Sequence, residues 1–594
     1  MTTKALCGRI LSGLILSTSS AFADFGDAGY YIGGGAYGGA ARNWQDAANW
    51  QDGRIPGRYS GKNDQGQTAT LGSVGETAYF GGLNKSGDWL FLPTGSYPVS
   101  ISNVVFTGNN FPGQFGQADW QCLTIEEGGG LYVNDSCTKS EIKFVGAIRP
   151  YTVSRATTFT FWNDSASTVL NLSAGFTAVA QATTSFATAS FLFGGAGRIQ
   201  LGGSMPANSG FFTDVQLAFS AGGLTISGAD FHGTKGIYAR AGYEKQVLTI
   251  AKGANCKLGD SNRGSQQITV RSDLEIVGDG TLQLWSSESA DGSLLANPIM
   301  SFVNGKSLTI ATTLKNRFNG GGWGTEGLGT LRITGENLMS GNALLNRTTF
   351  ETTTLGDAGE SSPFGTGSRI TFQNGGGIRF VGDSAAETDR ELVLGLNGGC
   401  LDQAGTGRLT FGGTIRANGG NGILLLTNET AAVAEVSGPI VDDGIYTVPV
   451  HKRGEGEWIL SGTNTTTADT HVYGGKLTIG VEGAHAKSKI SLDKVGATLS
   501  LAGDGTPRAK EIKKLDGYSR NTVLEIGAGV VLTAKELSLV DAAQIDVRAD
   551  AASGARLIVP GKKGRVANVT LNGRPAAFRN GVLVERGGLV ILLR

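Results

Sequence analysis

The sequence has few prolines and no long apolar segment, and each shortage excludes a class of protein. Proline supplies only 13 of the 594 residues and the glycines follow no three-residue period, so a collagen triple helix is excluded. No stretch approaches the roughly 18 apolar residues that a membrane-spanning helix needs. A sustained helical period is also missing, since the one helical candidate, residues 508–515, is short.

An excess of charge of either sign is missing as well. The chain has 50 basic and 50 acidic residues, and removal of residues 1–23 would leave 48 basic residues against the same 50 acids. No basic stripe or cluster favours binding to nucleic acid or to an anionic membrane. We therefore predict no nucleic-acid partner, and no membrane-spanning segment in the mature chain.

Thiols and potential metal ligands are scarce. Four cysteines follow the N-terminal segment, and their spacing and that of the four histidines suit no zinc site, so we predict neither a metal nor a cofactor. Residues 126–130 read as a turn that would bring flanking strands together, which makes Cys122 and Cys137 a candidate disulfide. The alternative is that these two, Cys256 and Cys400 are all small buried apolar residues.

The N-terminus carries an export signal. Two basic residues precede a short apolar core from Ile10 to Leu16, and Ala21-Phe22-Ala23 is a small-x-small cleavage site. This pattern is typical of a secretory signal peptide over residues 1–23, with cleavage before Asp24. We predict export through the inner membrane to the cell surface or the extracellular space, with the periplasm as the alternative.

The residue present in excess is glycine, with 94 copies against an average of about 7% of residues. Between glycine turns a Leu-x-(Ile/Phe/Leu) triplet recurs at irregular intervals, as at 224–226, 248–250 and 308–310. Such short alternations indicate strands. A propeller would repeat regularly with a blade signature, whereas a parallel β-helix tolerates varied insertions between its stacked strands. We predict an all-β fold, a right-handed parallel β-helix (β-solenoid) over residues 99–560.

The two ends of the chain differ from this pattern. Residues 24–98 contain Trp44 and Trp50 in a W-x-x-x-x-N-W pattern that resembles the opening of many secreted, repeat-bearing β-helical proteins. A solenoid needs a cover over its first turn because an exposed sheet edge invites aggregation. We predict an irregular N-terminal cap in which Trp44 and Trp50 either pack or stack on a glycan. Residues 561–594 are predicted to form closing strands.

Residues 452–480 read KRGEGEWILSGTNTTTADTHVYGGKLTIG, two short strands around a polar turn. The stretch resembles the passenger-associated transport repeat of autotransporter proteins (the autotransporter-associated β-strand repeat). It departs from the family in the turn, where Thr466 and Ala468 replace the usual Tyr and Gly. The matching positions, which the resemblance implies are structural, are Lys452, Gly454, Gly456, Trp458, Leu460, Gly462, Asn464, Thr470, Val472, Gly475, Leu477, Ile479 and Gly480.

The resemblance implies a passenger-type protein of a Gram-negative bacterium. That family ends in a membrane barrel of amphipathic strands, whereas this sequence ends Val590–Arg594 without them, so we expect a passenger-type chain that lacks the barrel. The expected function is adhesion, or contact with an extracellular glycan, matrix or surface component, without enzymatic activity.

Parallel β-helices also include polysaccharide lyases and glycoside hydrolases, which are the alternative function. A hydrolase needs two carboxylates at a matched separation, and the adjacent acids here are Asp442-Asp443 and Glu126-Glu127. Residues 441–444 read as a solvated turn, and the signatures of β-helical pectinases are absent. We therefore predict no catalytic residue.

Overall fold

The structure, a computed structural model, divides the chain into two compact units, Met1–Ser185 and Phe186–Arg594. The predicted signal peptide lies outside the described residues. Those residues are 28–30, 42–44, 47–54, 56–62, 68–71, 76–81, 89–92, 99–116, 121–152, 156–177, 180–181, 187–203, 211–228, 230–233, 235–259, 266–285, 298–303, 305–316, 321–481, 488–540 and 542–586.

The described part of the smaller unit is built of strands and two 3-10 helices, Ala47–Asn49 and Gln51–Gly53. Its strands, numbered in chain order from β1 to β14, are Ala28–Tyr30, Arg42–Asn43, Arg58–Lys62, Thr68–Leu71, Thr77–Phe80, Trp89–Phe91, Val99–Phe106, Gln114–Phe115, Cys122–Val133, Glu141–Phe144, Ala147–Thr152, Ala156–Asn163, Val169–Leu172 and Ala180–Gln181.

Most strand pairs of the smaller unit are parallel. β5 pairs with β7, and β7 pairs with β9, which in turn pairs with both β11 and β12. The exception lies within the segment predicted to be a cap, where β3 and β4 form an antiparallel hairpin and β3 also pairs antiparallel with β7. The same segment also contributes β1 and β5 as a parallel pair.

The larger unit repeats one short parallel motif many times. Its strands, numbered from β15 to β54, are Ala187–Gly195, Arg198–Leu201, Phe211–Phe219, Gly223–Ile226, Asp230–Gly233, Gly236–Ala239, Lys245–Ile250, Asn255–Leu258, Gln266–Val270, Asp273–Val277, Thr281–Leu284, Ile299–Phe302, Lys306–Ile310, Thr313–Asn316, Trp323–Glu326, Gly329–Ile333, Ala343–Asn346, Thr349–Thr352, Arg369–Gln373, Gly376–Phe380, Ala386–Thr388, Glu391–Leu394, Gly399–Gln403, Leu409–Phe411, Ile415–Ala417, Leu424–Asn428, Val433–Val436, Ile440–Val441, Val450–Arg453, Glu457–Leu460, Thr470–Val472, Lys476–Ile479, Lys489–Leu492, Thr498–Gly517, Thr522–Leu539, Ile545–Ala549, Arg556–Ile558, Gly564–Leu571, Arg574–Arg579 and Val582–Glu585.

These strands stack as a parallel β-solenoid with three sheet faces. The first sheet runs from β15 through β17, β20 and β23 to β39 and β42. The second runs from β16 through β21, β27 and β34 to β47, and the third includes β19, β22, β25 and β28 and, further on, β41, β44 and β46. The predicted all-β parallel solenoid is therefore confirmed.

The core of the larger unit consists of inward-facing columns of apolar side chains. In the second sheet Leu224, Leu248, Ile276, Ile310 and Ile333 lie one above another in register, and each is at most 3% exposed. Burial of one such side chain contributes roughly 1.5–3 kcal/mol. The outer residues of each triplet build this core, because the middle residue of a strand triplet points to the opposite face, toward solvent.

Two features of the C-terminal part differ from the prediction. The helical candidate at residues 508–515 is wrong, because it lies within β48, which pairs in parallel with β49. Near the end, β52, β53 and β54 pair antiparallel, and β54 also pairs with β51. These three strands lie within the segment predicted to form closing strands, and residues 587–594 of that segment lie outside the described residues. The predicted segment boundaries at 98 and 560 stay predictions.

Candidate functional site

The transport-type repeat forms β43 to β46 and places its apolar residues inside the solenoid. Trp458 pairs with Leu477 and Leu460 with Ile479 across adjacent strands, and all four side chains are buried. The Trp458 indole N–H donates to the carbonyl oxygen of Thr427 at 3.0 Å, so its one polar atom is satisfied. These residues support the surface from within and present nothing to a ligand.

The glycines of the repeat lie where turns of the solenoid touch. A Cβ atom on Gly462 would lie 2.2 Å from the carbonyl oxygen of Gly438, and one on Gly475 would lie 2.5 Å from that of Gly454. Gly475 also has a φ of +59°, a conformation that glycine adopts without a steric penalty. Gly454 and Gly456 are similarly close, each with a Cβ position 2.4 Å from atoms of Asn428.

The polar turn of the repeat connects neighbouring rungs, a rung being one complete turn of the solenoid. The side-chain oxygen of Asn464 accepts the backbone N–H of Ile440 at 2.9 Å. Thr466, which replaces the family's tyrosine, donates its hydroxyl to Asp442 at 2.9 Å or to the Val448 carbonyl at 3.0 Å. Thr466 therefore stabilises the turn by hydrogen bonds although it differs from the residue usual in the resembling repeats.

Lys452, one of the matching positions, makes side-chain contacts that the sequence analysis did not predict. Its side chain is fully buried, and its ammonium group donates to the carbonyl oxygens of Arg453, Gly454 and Gly474 at 2.6, 2.8 and 3.2 Å. Burial lowers the pKa of Lys452 to about 8. The available signal was a lysine directly before a glycine-rich turn, where several backbone carbonyls lack strand partners.

Trp44 and Trp50 are brought together, but inside the smaller unit. Trp44 is 0% and Trp50 is 1% exposed, and their ring centroids lie 5.0 Å apart, each 5.6 Å from Phe80. The Trp50 indole N–H donates to the Trp44 carbonyl at 2.7 Å, and that of Trp44 to the Pro56 carbonyl at 3.2 Å. Buried rings offer no stacking face to a sugar, so the geometry corresponds to the packing alternative.

The structure does not join Cys122 to Cys137. Both are buried free thiols, as is Cys256, while Cys400 is half-buried. The turn expected at residues 126–130 is wrong, because this segment lies within β9, whose two ends pair in parallel with the two ends of β7. A strand that continues along its neighbour keeps its ends apart, which removes the reason for the predicted disulfide.

The adjacent acids considered for catalysis organise a turn. Asp442 accepts the backbone N–H of Val448 at 3.1 Å and both the N–H and the hydroxyl of Thr467 at 2.8 Å. Asp443 accepts the N–H groups of Ile445 and Tyr446, and these hydrogen bonds lower the pKa of its carboxyl. Both carboxylates therefore stabilise the local turn, which agrees with the interpretation of residues 441–444 as a turn.

A cluster of ring side chains, two of them from the repeat, lies on the outward face of the second sheet. The ring centroids of His451 and His471, which pair in register, lie 5.1 Å apart, and Tyr473 lies 5.7 Å from His471. Asp493 Oδ2 lies 3.1 Å from His471 Nδ1. Burial, and then the charges of His471 and Arg453, lower the pKa of His451 to about 4. His451 is therefore neutral at physiological pH.

A surface groove of about 450 Å³ lies further toward the start of the same face. It crosses β21, β24, β27 and β30, and its walls are formed by Glu244, Lys245, Asp273, Leu274, Glu275, Lys306, Ser307, Thr309 and Arg332. These side chains come from rungs in strict register, as shown by the pairs Lys245–Asp273, Glu275–Thr309 and Thr309–Arg332. Three of the lining residues, Glu275, Thr309 and Arg332, are middle positions of such triplets, and the others lie at or just before the beginnings of the same strands.

A ladder of charged side chains continues from the groove along the axis of the larger unit. Arg332 donates to Glu351 at 2.6 Å, Glu351 lies 3.8 Å from Arg379, and Arg379 donates to Asp402 at 3.0 Å. Each member belongs to the next rung, so opposite charges alternate every turn. Exposed pairs of this kind contribute up to about 1 kcal/mol each.

The described residues contain neither a cluster suited to a metal ion nor a helix suited to a membrane. Within those ranges, no group of three or more His, Cys, Asp or Glu side chains is arranged to hold a metal ion. Nor does any helix in the described part of the chain have the length and apolar character needed to cross a membrane.

Comparison with known proteins agrees with this architecture. A stretch that covers 46% of the chain, aligned over 287 residues, is 28% identical to the protein named Adhesin BmaC autotransporter of Brucella suis biovar 1 (strain 1330), and the chain spans 8% of that protein's length. No family model matches the chain and no solved structure matches it. The parallel β-solenoid and this similarity together fit an autotransporter passenger.

Proposed function

We propose that this chain is an adhesive passenger that acts outside the cell through the outward side chains of its solenoid. The observation that carries the proposal is the similarity to an autotransporter adhesin in a chain whose described residues form stacked parallel strands. Export is supported by the signal-peptide pattern of residues 1–23. Display at the cell surface is supported by the same similarity.

The two faces of each strand differ in exposure, and this difference supports an adhesive role. Inward residues such as Leu248 and Ile276 are fully buried, while the outward residues Thr249 and Glu275 remain accessible. Because neighbouring rungs repeat this arrangement in register, the outward positions form a continuous polar surface. Extended repeat surfaces of this kind are well suited to binding large partners.

The groove favours binding over hydrolysis. Its Glu275 carboxylate is paired with Lys245 at 2.6 Å, and Asp273 accepts the N–H and hydroxyl of Ser307 at 2.7 and 2.9 Å. A glycosidase needs one carboxyl group as a general acid and a second as a nucleophile or base. Glu275 is instead held by Lys245, and Asp273 is held by Ser307 through Oδ1, which leaves Oδ2 open to a ligand.

The proposal is tested with the purified chain, residues 24–594, coated on beads and offered to cultured epithelial cells and to immobilised matrix proteins. We expect bead attachment that saturates with coating density and is lost after heat unfolding. Beads that attach no better than albumin-coated beads would contradict the proposal. Chromatography of any bound polysaccharide after incubation separates adhesion from cleavage, since new reducing ends would indicate an enzyme.

A further inference from the structure

We propose that the groove crossed by β21, β24, β27 and β30 is a binding site for a neutral glycan. This inference rests on the proposed adhesive function and assigns a ligand class to one part of the solenoid surface. The volume of about 450 Å³ lies in the range of small-ligand sites, about 300–1,000 Å³. It accommodates a short saccharide segment.

The charges of the groove balance. Three carboxylates, from Glu244, Asp273 and Glu275, face three cations, from Lys245, Lys306 and Arg332. A phosphate, sulfate or uronate ligand would require an excess of positive charge to offset its desolvation. A neutral ligand does not.

The internal contacts of the groove leave both donors and acceptors available. In the described part of the chain, the side chains of Glu244 and Lys306 make no ion pair or hydrogen bond with another residue, and the Asp273 carboxylate uses only Oδ1. Arg332 contacts Glu351 through Nε, so both of its terminal nitrogens face no protein partner. Interleaved donors and acceptors match the hydroxyl groups of a sugar, each of which both donates and accepts.

The walls contain little apolar surface. Leu274, the one apolar residue of the lining, is 2% exposed. An apolar peptide or a lipid chain would leave its own surface without a partner and would desolvate the charged walls at a cost. Sugar recognition by polar contacts alone gives a weak individual site, and many copies on a surface raise the overall affinity.

The test uses an array of neutral oligosaccharides terminated by mannose, galactose or N-acetylglucosamine, printed beside sulfated and sialylated counterparts. The variant is Glu244→Ala with Lys306→Ala, whose side chains have no internal partner in the described residues, so the fold is expected to persist by circular dichroism. A matched control, Lys535→Ala with Glu536→Ala, removes one base and one acid from exposed positions elsewhere on the larger unit.

We expect the wild type and the control to bind neutral probes and the groove variant to bind at least about tenfold more weakly, the effect of losing roughly 1.4 kcal/mol. Equal binding by the groove variant would overturn the site. Binding confined to sulfated or sialylated probes would overturn the ligand class. If wild-type beads attach to cells but the wild type binds no glycan, this inference is overturned and the proposed function stands. If wild-type beads attach to no cells, the proposed function itself is contradicted.

Discussion

The ammonium nitrogen of Lys452 lies 3.2 Å from the carbonyl oxygen of Gly474, one turn of the solenoid further along the chain. One buried cation therefore joins two glycine turns of the repeat. The same group also contacts the carbonyls of Arg453 and Gly454. A lysine at this position therefore supplies one donor group to several backbone carbonyl oxygens that meet at the turn of the repeat.

Replacement of this lysine tests that interpretation. Lys452→Met keeps the length of the side chain but removes the donor to the carbonyl oxygens of Arg453, Gly454 and Gly474, and each lost hydrogen bond to a charged group costs about 1.5–3 kcal/mol. We expect faster hydrogen exchange of amides in β44 and β46 and a lower urea midpoint. Lys535→Met, at a position 65% exposed, is the control and should change stability by less than about 0.5 kcal/mol. Equal effects of the two substitutions would contradict the role.

A second prediction concerns acidic pH. Because the folded-state pKa of His451 is about 4, below its usual value of about 6.5, the unfolded chain binds more protons between these pH values. Stability from this group is therefore present above pH 6.5 and lost as the pH falls toward 4. We expect the melting temperature of the wild type to fall more steeply from pH 7 to 4 than that of His451→Gln. Parallel curves would show that His451 does not contribute.

A third prediction concerns a buried arginine. Arg390 is 1% exposed, and its guanidinium donates to the carbonyls of Gly356 and Gly365 and to the hydroxyl of Ser362. It thereby holds residues 353–368, the connection between β32 and β33. Arg390→Met should destabilise this region by roughly 3 kcal/mol and speed cleavage by a glutamate-specific protease at the exposed Glu360.

The surface arginine Arg379 provides the comparison for that experiment. Its side chain is 48% exposed and pairs with Asp402, so Arg379→Met should cost at most about 1 kcal/mol and leave cleavage at Glu360 unchanged. Equal cleavage rates for the two variants would mean that Arg390 does not hold the connection.

The fourth prediction compares two reasons for glycine, a close contact with a neighbouring rung at Gly462 and a left-handed backbone conformation at Gly444. Gly462→Ala would place a Cβ 2.2 Å from the Gly438 carbonyl oxygen, whereas Gly444, with a φ of +92°, has nothing within 4 Å of its Cβ position. We expect Gly444→Ala to cost about 1–2 kcal/mol through its left-handed backbone alone. Gly462→Ala should cost more, because neighbouring rungs must move apart. Thermal unfolding monitored by circular dichroism compares them, and a smaller loss for Gly462→Ala would refute the close approach.

The solenoid could be predicted because its signal is local. The triplet Leu224–Ile226 shows both buried positions and the outward one within three residues, and the same pattern returns in every sheet. The groove could not be predicted, since Lys245, Asp273 and Thr309 are far apart in sequence and meet only through the register of the rungs. Register depends on the length of every intervening turn, which composition does not specify.

Two errors have the same physical origin. The sequence predicts a turn over residues 126–130, but Gly128, with a φ of +77°, lies within β9, whose two ends continue along β7. Residues 508–515, the one short helical candidate, lie in β48. Pairing with an adjacent rung outweighs the local preference of the chain at residues 508–515 and on both sides of the segment that contains Gly128.

The separation of inward and outward positions has a consequence for how this surface can change. Thr225, Thr249, Thr309 and Arg332 are partly exposed, between inward neighbours that carry the packing. Substitution at such a position alters what a partner meets while the apolar columns stay intact. Each rung contacts chiefly its two neighbours. The outward residues of one rung can therefore be substituted without disturbing the packing of distant rungs. The larger unit can therefore diversify its recognition surface rung by rung under a constant architecture.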